Sequence, residues 1–129
     1  MLVDKAVLGI VINKDKCLLV HRRWPPCTWG PPGGFMDKGE CELETVQREI
    51  FEETEIVCEV IEKIHDFIYS DAYYNSSISV YVCKYMSGEL SFDKESLDAG
   101  WFSIDEMPKG VSPGVEVFEK AFSIVKEVD

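Results

Sequence analysis

One stretch near the start of the chain limits the fold more than any other. Ala6–Ile12 is a nearly continuous apolar run that is rich in β-branched side chains. Successive side chains of a strand point to opposite faces of its sheet, so a strand that is apolar throughout is buried on both faces. The run therefore predicts an interior strand, with other elements covering the sheet on each side.

Further strands can be read from the segments that follow. The polar turn Asn13–Lys16 separates the first run from a second one, Cys17–Val20, and the pair predicts a hairpin. The segment Trp24–Gly34 contains four prolines and three glycines and predicts an irregular loop. Later strands are predicted at Ile56–Tyr69, Ile78–Tyr85 and Ala99–Phe102.

Two helices are expected to cover the sheet. Within Glu42–Glu53, the apolar residues Leu43, Val46 and Ile50 recur at helical spacing and predict a buried stripe. A turn of helix at residues 103–108 and a last helix complete the pattern, which predicts a mixed α/β fold in one domain over residues 1–129. The last helix is expected to begin with Ser112 as N-cap and Pro113 at its first position, and to bury Val117, Phe118, Ala121, Phe122 and Val125.

Composition and charge narrow the class of protein. No apolar run reaches the roughly 18 residues needed to cross a membrane, and the N-terminus lacks a signal-peptide pattern, so a cytoplasmic location is expected. The five cysteines are widely spaced, without a Cys-x-x-Cys pair, and predict neither disulfides nor a zinc site. The formal charge of −11 disfavours nucleic acid as a partner. A small anionic substrate would therefore require a bound cation.

Three carboxylates lie beside the apolar stripe of the first helix. At about 100° per residue, Glu49, Glu52 and Glu53 share one arc of about 100°. Like charges at this spacing destabilise a helix, so the cluster indicates either a solvated acidic face or a metal site. The preceding Pro31–Gly34 loop allows a backbone carbonyl to approach the carboxylates, because its glycines have no Cβ. Such oxygen ligands suit Mg²⁺.

The segment Gly34–Ile56 resembles the signature box of the Nudix hydrolases. Glycine, glutamate, the Arg-Glu pair, the aliphatic residues and the Glu-Glu pair all fall at the spacing of that pattern, and weaker similarity extends over Cys17–Arg22 and Trp101–Pro108. One residue departs from the box: Glu55 stands where glycine is usual. Glycine there would end the helix in the left-handed conformation, which costs other residues on the order of 1 kcal/mol.

The resemblance implies a Nudix-like α/β/α sandwich, a mixed sheet flanked by helices, that uses Mg²⁺, with Mn²⁺ able to substitute. It implies that Glu49, Glu52, Glu53 and the carbonyl of Gly33 are metal ligands. Arg48 would orient one of the box glutamates through a charge-assisted pair. Glu49, Glu52, Glu53 and Arg48 are therefore the expected catalytic residues.

A further carboxylate is expected from a loop late in the chain. Glu95 is the nearest match to the extra family ligand or general base, with Asp93 and Asp98 as rivals. The alternative is that Glu95 is one more acid in an acidic loop. Glu40, the remaining box carboxylate, has either a structural or a catalytic role.

Substrate contacts are expected from arginines and aromatic residues outside the box. Guanidinium groups suit phosphate, although a solvated strand end would also explain an arginine pair. Aromatic rings could stack on a nucleobase or simply cover the core, and Trp24 competes for this role. The candidates are Arg22, Arg23, Trp29, Tyr73 and Tyr74.

The resemblance implies an enzyme that hydrolyses acid anhydrides in phosphorus-containing compounds. It would cleave a nucleoside diphosphate linked to another moiety by water attack on phosphorus, with Glu53 or Glu52 accepting the proton. The substrate would be a dinucleoside polyphosphate, ADP-ribose or a nucleotide sugar, or a modified deoxynucleotide; loop tyrosines favour the first. The alternative is a non-catalytic nucleotide sensor of the same fold, which would be expected to have lost box carboxylates. No membrane partner is expected, and the sequence is compatible with a homodimer.

Overall fold

A computed structural model describes residues 3–70, 72 and 75–128, apart from the side chains of residues 3, 127 and 128. Within this part of the chain, seven strands form one sheet, and the elements follow the order ββββαβββ, a short 3₁₀ turn, and a final helix. The strands are β1 (Val3–Asn13), β2 (Lys16–Arg22), β3 (Trp29–Gly30), β4 (Gly33–Phe35), β5 (Val57–Ser70), β6 (Asn75–Ser87) and β7 (Ser96–Phe102). The helices are α1 (Glu42–Thr54) and α2 (Val115–Val128), and the 3₁₀ turn is Ile104–Glu106.

The sheet is mixed and β1 lies in its interior. The strand order is β3-β2-β1-β6-β5, with β4 also paired to β1 and β7 also paired to β2. The β1–β6 pair is parallel, and the other pairs are antiparallel. The predicted hairpin is confirmed, because Ile12 of β1 lies opposite Cys17 of β2.

Strand β1 divides its side chains between two hydrophobic clusters. Val7 and Val11 pack in the cluster that contains the α1 residues Val46 and Ile50. Ile10 and Ile12 belong to the second cluster, with Phe118 and other side chains of α2. The helices therefore cover opposite faces, which confirms the predicted α/β/α sandwich and explains why the β1 sequence is apolar throughout.

The boundaries of α1 have local causes. At its start, the backbone N–H of Cys41 donates to the Glu44 carboxylate over 3.0 Å. At its end, Glu55 adopts the left-handed conformation with φ of 62°, and its N–H donates to the Phe51 carbonyl over 2.8 Å. The position expected to require a left-handed residue does so, even though glutamate occupies it.

Two local expectations were wrong. Leu43 is 50% exposed rather than part of the buried stripe. It lies in the first turn of α1, where the hydroxyl of the sheet residue Tyr81 donates to the carboxylate of the neighbouring Glu42 over 2.8 Å. The segment Trp24–Gly34 is also not wholly irregular, because it contains β3 and the start of β4.

The start of α2 was also placed too early. Helix α2 begins at Val115, not at Ser112 or Pro113. The Ser112 N–H donates to the Trp29 carbonyl over 3.0 Å, which holds this part of the chain against β3. The first turn of α2 is closed by the Val117 N–H, which donates to the Gly114 carbonyl.

Most side chains expected in the interior are there. Of the five cysteines, all of which carry free thiols, Cys17, Cys58 and Cys83 are buried. On α2 the buried residues include Val117, Phe118, Ala121 and Val125, while Phe122 is partly buried.

No helix in the described part of the chain is long and apolar enough to cross a membrane.

Candidate active site

A cleft of about 530 Å³ opens along the C-terminal half of α1. Its walls are α1, strand β4, the end of β2, and the segment between β6 and β7. Among the described residues that line it, Arg22 is the one cation. Six carboxylate side chains line the same cleft: Asp37, Glu49, Glu52, Glu53, Asp93 and Glu95.

Glu53 is the most deeply buried of the three α1 carboxylates in the cleft. It is 5% exposed, and its Oε2 accepts a 2.8 Å hydrogen bond from the Gly33 N–H. Burial raises the pKa of Glu53 to about 8, although Arg22 and the Gly33 N–H oppose this rise. The negative charges of Glu49 and Asp93 raise it further. A cation bound in the cleft would favour the ionised form of this buried carboxyl group.

Glycines allow β4 to approach both β1 and α1. A Cβ on Gly33 would collide with the Val7 carbonyl oxygen of the paired strand. A Cβ on Gly34 would lie 2.6 Å from the carboxyl carbon of Glu49. Gly33 therefore lets β4 approach β1, and Gly34 makes room for the Glu49 carboxylate beside the backbone.

Arg48 holds the other carboxylates of α1. Its Nη1 donates to Glu49 Oε1 over 2.9 Å and to Glu52 Oε2 over 3.0 Å. Its Nε donates to Glu40 Oε2 over 2.6 Å, and its Nη2 donates to the Phe35 carbonyl over 3.2 Å. Arg48 therefore binds three box glutamates, Glu40, Glu49 and Glu52, and joins them to the backbone of β4.

Glu40 has a structural place outside the cleft lining. Its Oε1 accepts hydrogen bonds from Arg48 Nη2 over 2.9 Å, from the Thr45 hydroxyl over 2.8 Å and from the Asp37 N–H over 3.0 Å. These bonds, above all those from Arg48, lower the pKa of Glu40 to about 2. The structural role considered for Glu40 fits this position.

The two predicted phosphate-binding arginines have different surroundings. Arg22 lines the cleft, where its Nη2 donates to the Pro31 carbonyl over 2.7 Å and its charge acts on Glu53. Arg23 directs its Nε to the Lys94 carbonyl over 2.7 Å and does not line the cleft. Arg22 therefore lies among the cleft carboxylates, whereas Arg23 lies outside the cleft lining.

The aromatic candidates are also separated. Trp29 stacks on His21 with ring centroids 4.8 Å apart, and its other neighbour is Phe102 at 5.1 Å, so it packs in the interior rather than in the cleft. Trp24 and Phe35 line the cleft and are 67% and 50% exposed. The predicted stacking residues Tyr73 and Tyr74 lie outside the described residues.

Glu95 lies in the cleft lining, as does its rival Asp93, whereas Asp98 does not. The sequence analysis missed three lining residues, Phe35, Asp37 and Ser96. Helical spacing gave no signal for them, because all three lie outside α1.

A family model described as the NUDIX domain matches residues 3–121 of this chain. The chain belongs to the Nudix family. Its fold agrees with the crystal structure of a MutT NUDIX hydrolase from Burkholderia pseudomallei, with a TM-score of 0.81 and 25% identity over 94% of this chain and 98% of that one. A crystal structure of a UDP-X diphosphatase, 23% identical, has the same fold with a TM-score of 0.78, covering 100% of this chain and 66% of that one.

Relatives with names of their own match the Nudix domain at similar identity. A MutT-like protein of Streptomyces ambofaciens is 33% identical over 79% of this chain and 65% of that protein. A protein named NAD-capped RNA hydrolase NudC, from Pectobacterium carotovorum, is 32% identical over 84% of this chain and 41% of its own length. An ADP-ribose pyrophosphatase of Methanocaldococcus jannaschii is 31% identical over 81% and 64%. The chain thus spans less than two thirds of the length of each.

The Nudix box of this chain fits a hard divalent cation by its donor chemistry. The cleft carboxylates provide only oxygen donors, which suit Mg²⁺ or Mn²⁺. As the described side chains stand, no three acidic, histidine or cysteine residues surround a common point closely enough to form a finished metal site. Arg48 binds one oxygen each of Glu49 and Glu52, and Gly33 binds one oxygen of Glu53, so each carboxylate keeps its second oxygen for a cation.

Proposed function

We propose that this Nudix protein is a Mg²⁺-dependent hydrolase that cleaves a nucleoside diphosphate linked to another moiety. Mn²⁺ would substitute for Mg²⁺. The observation that carries the proposal is the buried Glu53 carboxyl group, which lines one cleft together with five other carboxylates. So many carboxylates around an open cleft favour a bound cation, which can in turn hold the oxygens of a diphosphate.

The ion would be held by Glu49, Glu52, Glu53, Glu95 and the Gly33 carbonyl. When bound, it would neutralise diphosphate oxygens and lower the pKa of the attacking water. The residues of the chain position the reactants: Arg48 fixes the α1 carboxylates, and the cleft walls orient the linkage.

Water attacks phosphorus, and the leaving group departs with the bridging oxygen of the cleaved linkage. The proton of the water is accepted by Glu53 or Glu52. Burial favours Glu53 because it restricts the carboxylate to one orientation, bonded to the Gly33 N–H. Exposure of Glu52, whose side chain is 53% accessible, favours it as the residue that exchanges protons with solvent. A glutamine variant of either residue removes a proposed metal ligand as well as a base, so Glu53 and Glu52 both stand as candidates.

Substrate recognition would combine the metal with stacking. Arg22 is the only cation among the described lining residues, so direct phosphate contacts from side chains are few. Exposed Trp24 and Phe35 at the same cleft suit a nucleobase or another flat group. The candidate substrates are dinucleoside polyphosphates, ADP-ribose or nucleotide sugars, and modified deoxynucleotides. The names of the NudC and ADP-ribose pyrophosphatase relatives support a nucleotide derivative.

The competing function is non-catalytic nucleotide sensing. It would be favoured by a missing box carboxylate, but Glu49, Glu52 and Glu53 are all present and all line the cleft. The decisive experiment supplies a panel of nucleoside diphosphate derivatives with Mg²⁺ and measures released phosphate and nucleoside monophosphate. Hydrolysis of at least one compound, lost in Glu53→Gln, is the expected result. Binding of a nucleotide without any product would favour the sensor.

The remaining proposals concern the setting of the protein. We propose that residues 1–129 act as one domain on a small molecule in the cytoplasm, without a nucleic-acid or membrane partner. Homodimer formation stays a prediction, which sedimentation equilibrium would test.

A further inference from the structure

We propose that Arg23 and Glu55 are positioning residues that hold residues 91–95, here called the bridging segment, and so place Asp93 and Glu95 in the cleft. The proposal rests on the metal-dependent function proposed above. It goes further by giving a role to two residues that do not line the cleft. One of them, Glu55, is the residue at which this chain departs from its family.

The bridging segment is docked on the C-terminal end of α1 by its backbone. The Ser91 N–H donates to the Thr54 carbonyl over 3.0 Å, and the Asp93 N–H donates to the Glu53 carbonyl over 3.1 Å. Carbonyls in the last turn of a helix have no partner within the helix, so they are available to a neighbouring segment. The side chain of Glu53 thus lines the cleft, while its backbone carbonyl binds the bridging segment.

Glu55 adds a side-chain bond that glycine could not make. Its Oε2 accepts a 2.7 Å hydrogen bond from the Ser91 hydroxyl. The backbone of Glu55 is left-handed, with φ of 62°, a conformation in which glutamate is less favourable than glycine. The chain therefore carries a conformational cost at this position, and in return the helix end is joined to the first residue of the bridging segment.

Arg23 fixes the other end of the segment. The backbone N–H of Arg23 donates to the Glu95 carbonyl over 3.2 Å, and its side-chain Nε donates to the Lys94 carbonyl over 2.7 Å. Between the two anchors, Asp93 Oδ1 accepts a 3.0 Å hydrogen bond from the Glu95 N–H, and the Ser96 N–H donates to the Asp93 carbonyl. The two acidic residues therefore form one compact turn, held at both ends.

An anchored turn changes the affinity of the cleft for a cation. A flexible segment would lose conformational freedom when its carboxylates engaged an ion, and that loss would weaken binding. Bonds outside the ligand set that fix the segment in advance reduce the loss. The role of Arg23 is thus to hold the backbone of residues 94 and 95, and so to position Glu95, rather than to contact phosphate directly.

The test is titration of the metal-free protein with Mn²⁺ alone, measured by calorimetry and by the electron paramagnetic resonance of free Mn²⁺. Ser91→Ala removes the partner of Glu55 without changing the backbone of residue 55, and Arg23→Ala removes the Nε bond. Each is expected to weaken Mn²⁺ binding by roughly two- to tenfold, the equivalent of one lost hydrogen bond. Glu55→Gln keeps an oxygen acceptor and is expected to retain the affinity of the wild type.

A matched control is available on the far side of the sheet. The Ser103 hydroxyl donates to Glu106 over 2.8 Å, another exposed serine–glutamate bond, and neither residue lines the cleft. Ser103→Ala is expected to leave Mn²⁺ affinity unchanged. Hydrogen exchange supplies a second readout, because the amides of Ser91 and Asp93 should exchange faster in metal-free Ser91→Ala than in Ser103→Ala.

The outcomes are distinct. If Ser91→Ala and Arg23→Ala bind Mn²⁺ as tightly as the wild type, or if Ser103→Ala weakens binding equally, the positioning role is wrong while the metal site stands. If the wild type binds no Mn²⁺, the proposed metal-dependent function is wrong and this proposal falls with it. If Glu55→Ala, which removes the acceptor, binds Mn²⁺ as tightly as the wild type while Ser91→Ala binds it more weakly, Glu55 is removed from the assignment.

Discussion

The carboxylate of Glu53 and the N–H of Gly33 are joined by a 2.8 Å hydrogen bond at the floor of an acidic cleft. This bond connects the end of α1 to strand β4, two elements that are separated by the polar loop of residues 36–41. It holds an ionisable group in a place where burial opposes the charged form and raises its pKa to about 8. Stability alone would not favour such an arrangement, which points to a role in binding or catalysis.

Glu53→Gln and Glu52→Gln are each expected to lower kcat by roughly 10²- to 10⁴-fold, the range of general acid–base catalysis, with the fold intact. Amide replaces carboxylate at nearly constant shape, so the change is in charge and basicity. The measurement is steady-state hydrolysis at saturating Mg²⁺, with circular dichroism to verify folding. Glu59→Gln, an exposed glutamate on β5, is the control and should be as active as the wild type. A variant with near wild-type kcat would show that its residue has been misassigned.

Chelation should abolish turnover, and Mg²⁺ or Mn²⁺ should restore it. The reason is the all-oxygen donor set of the cleft, which suits hard cations. Reductant and Zn²⁺ should have no such effect, because the five cysteines carry free thiols and none lines the cleft. Activity is followed across additions of EDTA and then of each metal. Full turnover in excess EDTA would contradict the mechanism.

Glu55→Gly should stabilise the protein most clearly when Ser91 is already alanine. In that background glycine relieves the left-handed strain without losing a hydrogen bond, and the expected gain is on the order of 1 kcal/mol, reduced by the greater freedom of glycine in the unfolded chain. With Ser91 present, the lost side-chain bond should offset part of the gain. Urea unfolding of the four proteins in this cycle provides the measurement. A destabilising Glu55→Gly in the Ser91→Ala background would refute the strain argument.

Glu40→Gln should cost stability in a pH-dependent way. The folded-state pKa of Glu40, about 2, lies below its ordinary value of 4.5, so its ionised form stabilises the fold above pH 4.5. That contribution is lost as pH falls from 4.5 towards 2. Denaturation midpoints should therefore differ most between variant and wild type at about pH 6 and less at about pH 3, where Glu40 is partly protonated. A difference that grew on acidification would mean that the bonds to Arg48 do not set this pKa.

Trp24→Ala and Phe35→Ala should raise KM for a nucleotide substrate more than they lower kcat. Loss of stacking on one base is worth about 1–3 kcal/mol, so an increase of at least fivefold is expected. Ile68→Ala, which removes a side chain that is 63% exposed on β5 outside the cleft, serves as the comparison. Unchanged KM in both aromatic variants would place the base elsewhere.

The arrangement on α1 was predictable because it depends on local geometry. The spacing of Glu49, Glu52 and Glu53 fixes their common side of any helix, and the structure places all three in one cleft. The family pattern located the end of α1, but the sequence left open whether Glu55 itself would adopt the left-handed backbone that the structure shows. Leu43 shows the limit of such reasoning. A helical wheel predicts the side of α1 on which a residue lies, but the extent of the sheet determines how much of that side is buried.

The contributions of distant segments could not be predicted from spacing. Asp93 reaches the cleft because its N–H bonds to the backbone of Glu53, forty residues earlier, and no periodicity encodes that contact. Similarly, Trp24 and Trp29 are five residues apart in one loop, yet one is exposed at the cleft and the other stacks on His21. Their environments differ because Trp29 lies in β3, opposite His21 of β2. Strand β3 has only two residues and is too short to be recognised from the sequence.

Strand β1 carries a consequence for how the molecule unfolds. Its odd-numbered side chains Val7 and Val11 support one helix, and its even-numbered side chains Ile10 and Ile12 support the other. Both helices pack on β1, so displacement of β1 would remove the packing surface of α1 and of α2 together. Loss of one helix should therefore bring down the other in a single cooperative step, with both sides of the molecule reporting the same denaturation midpoint.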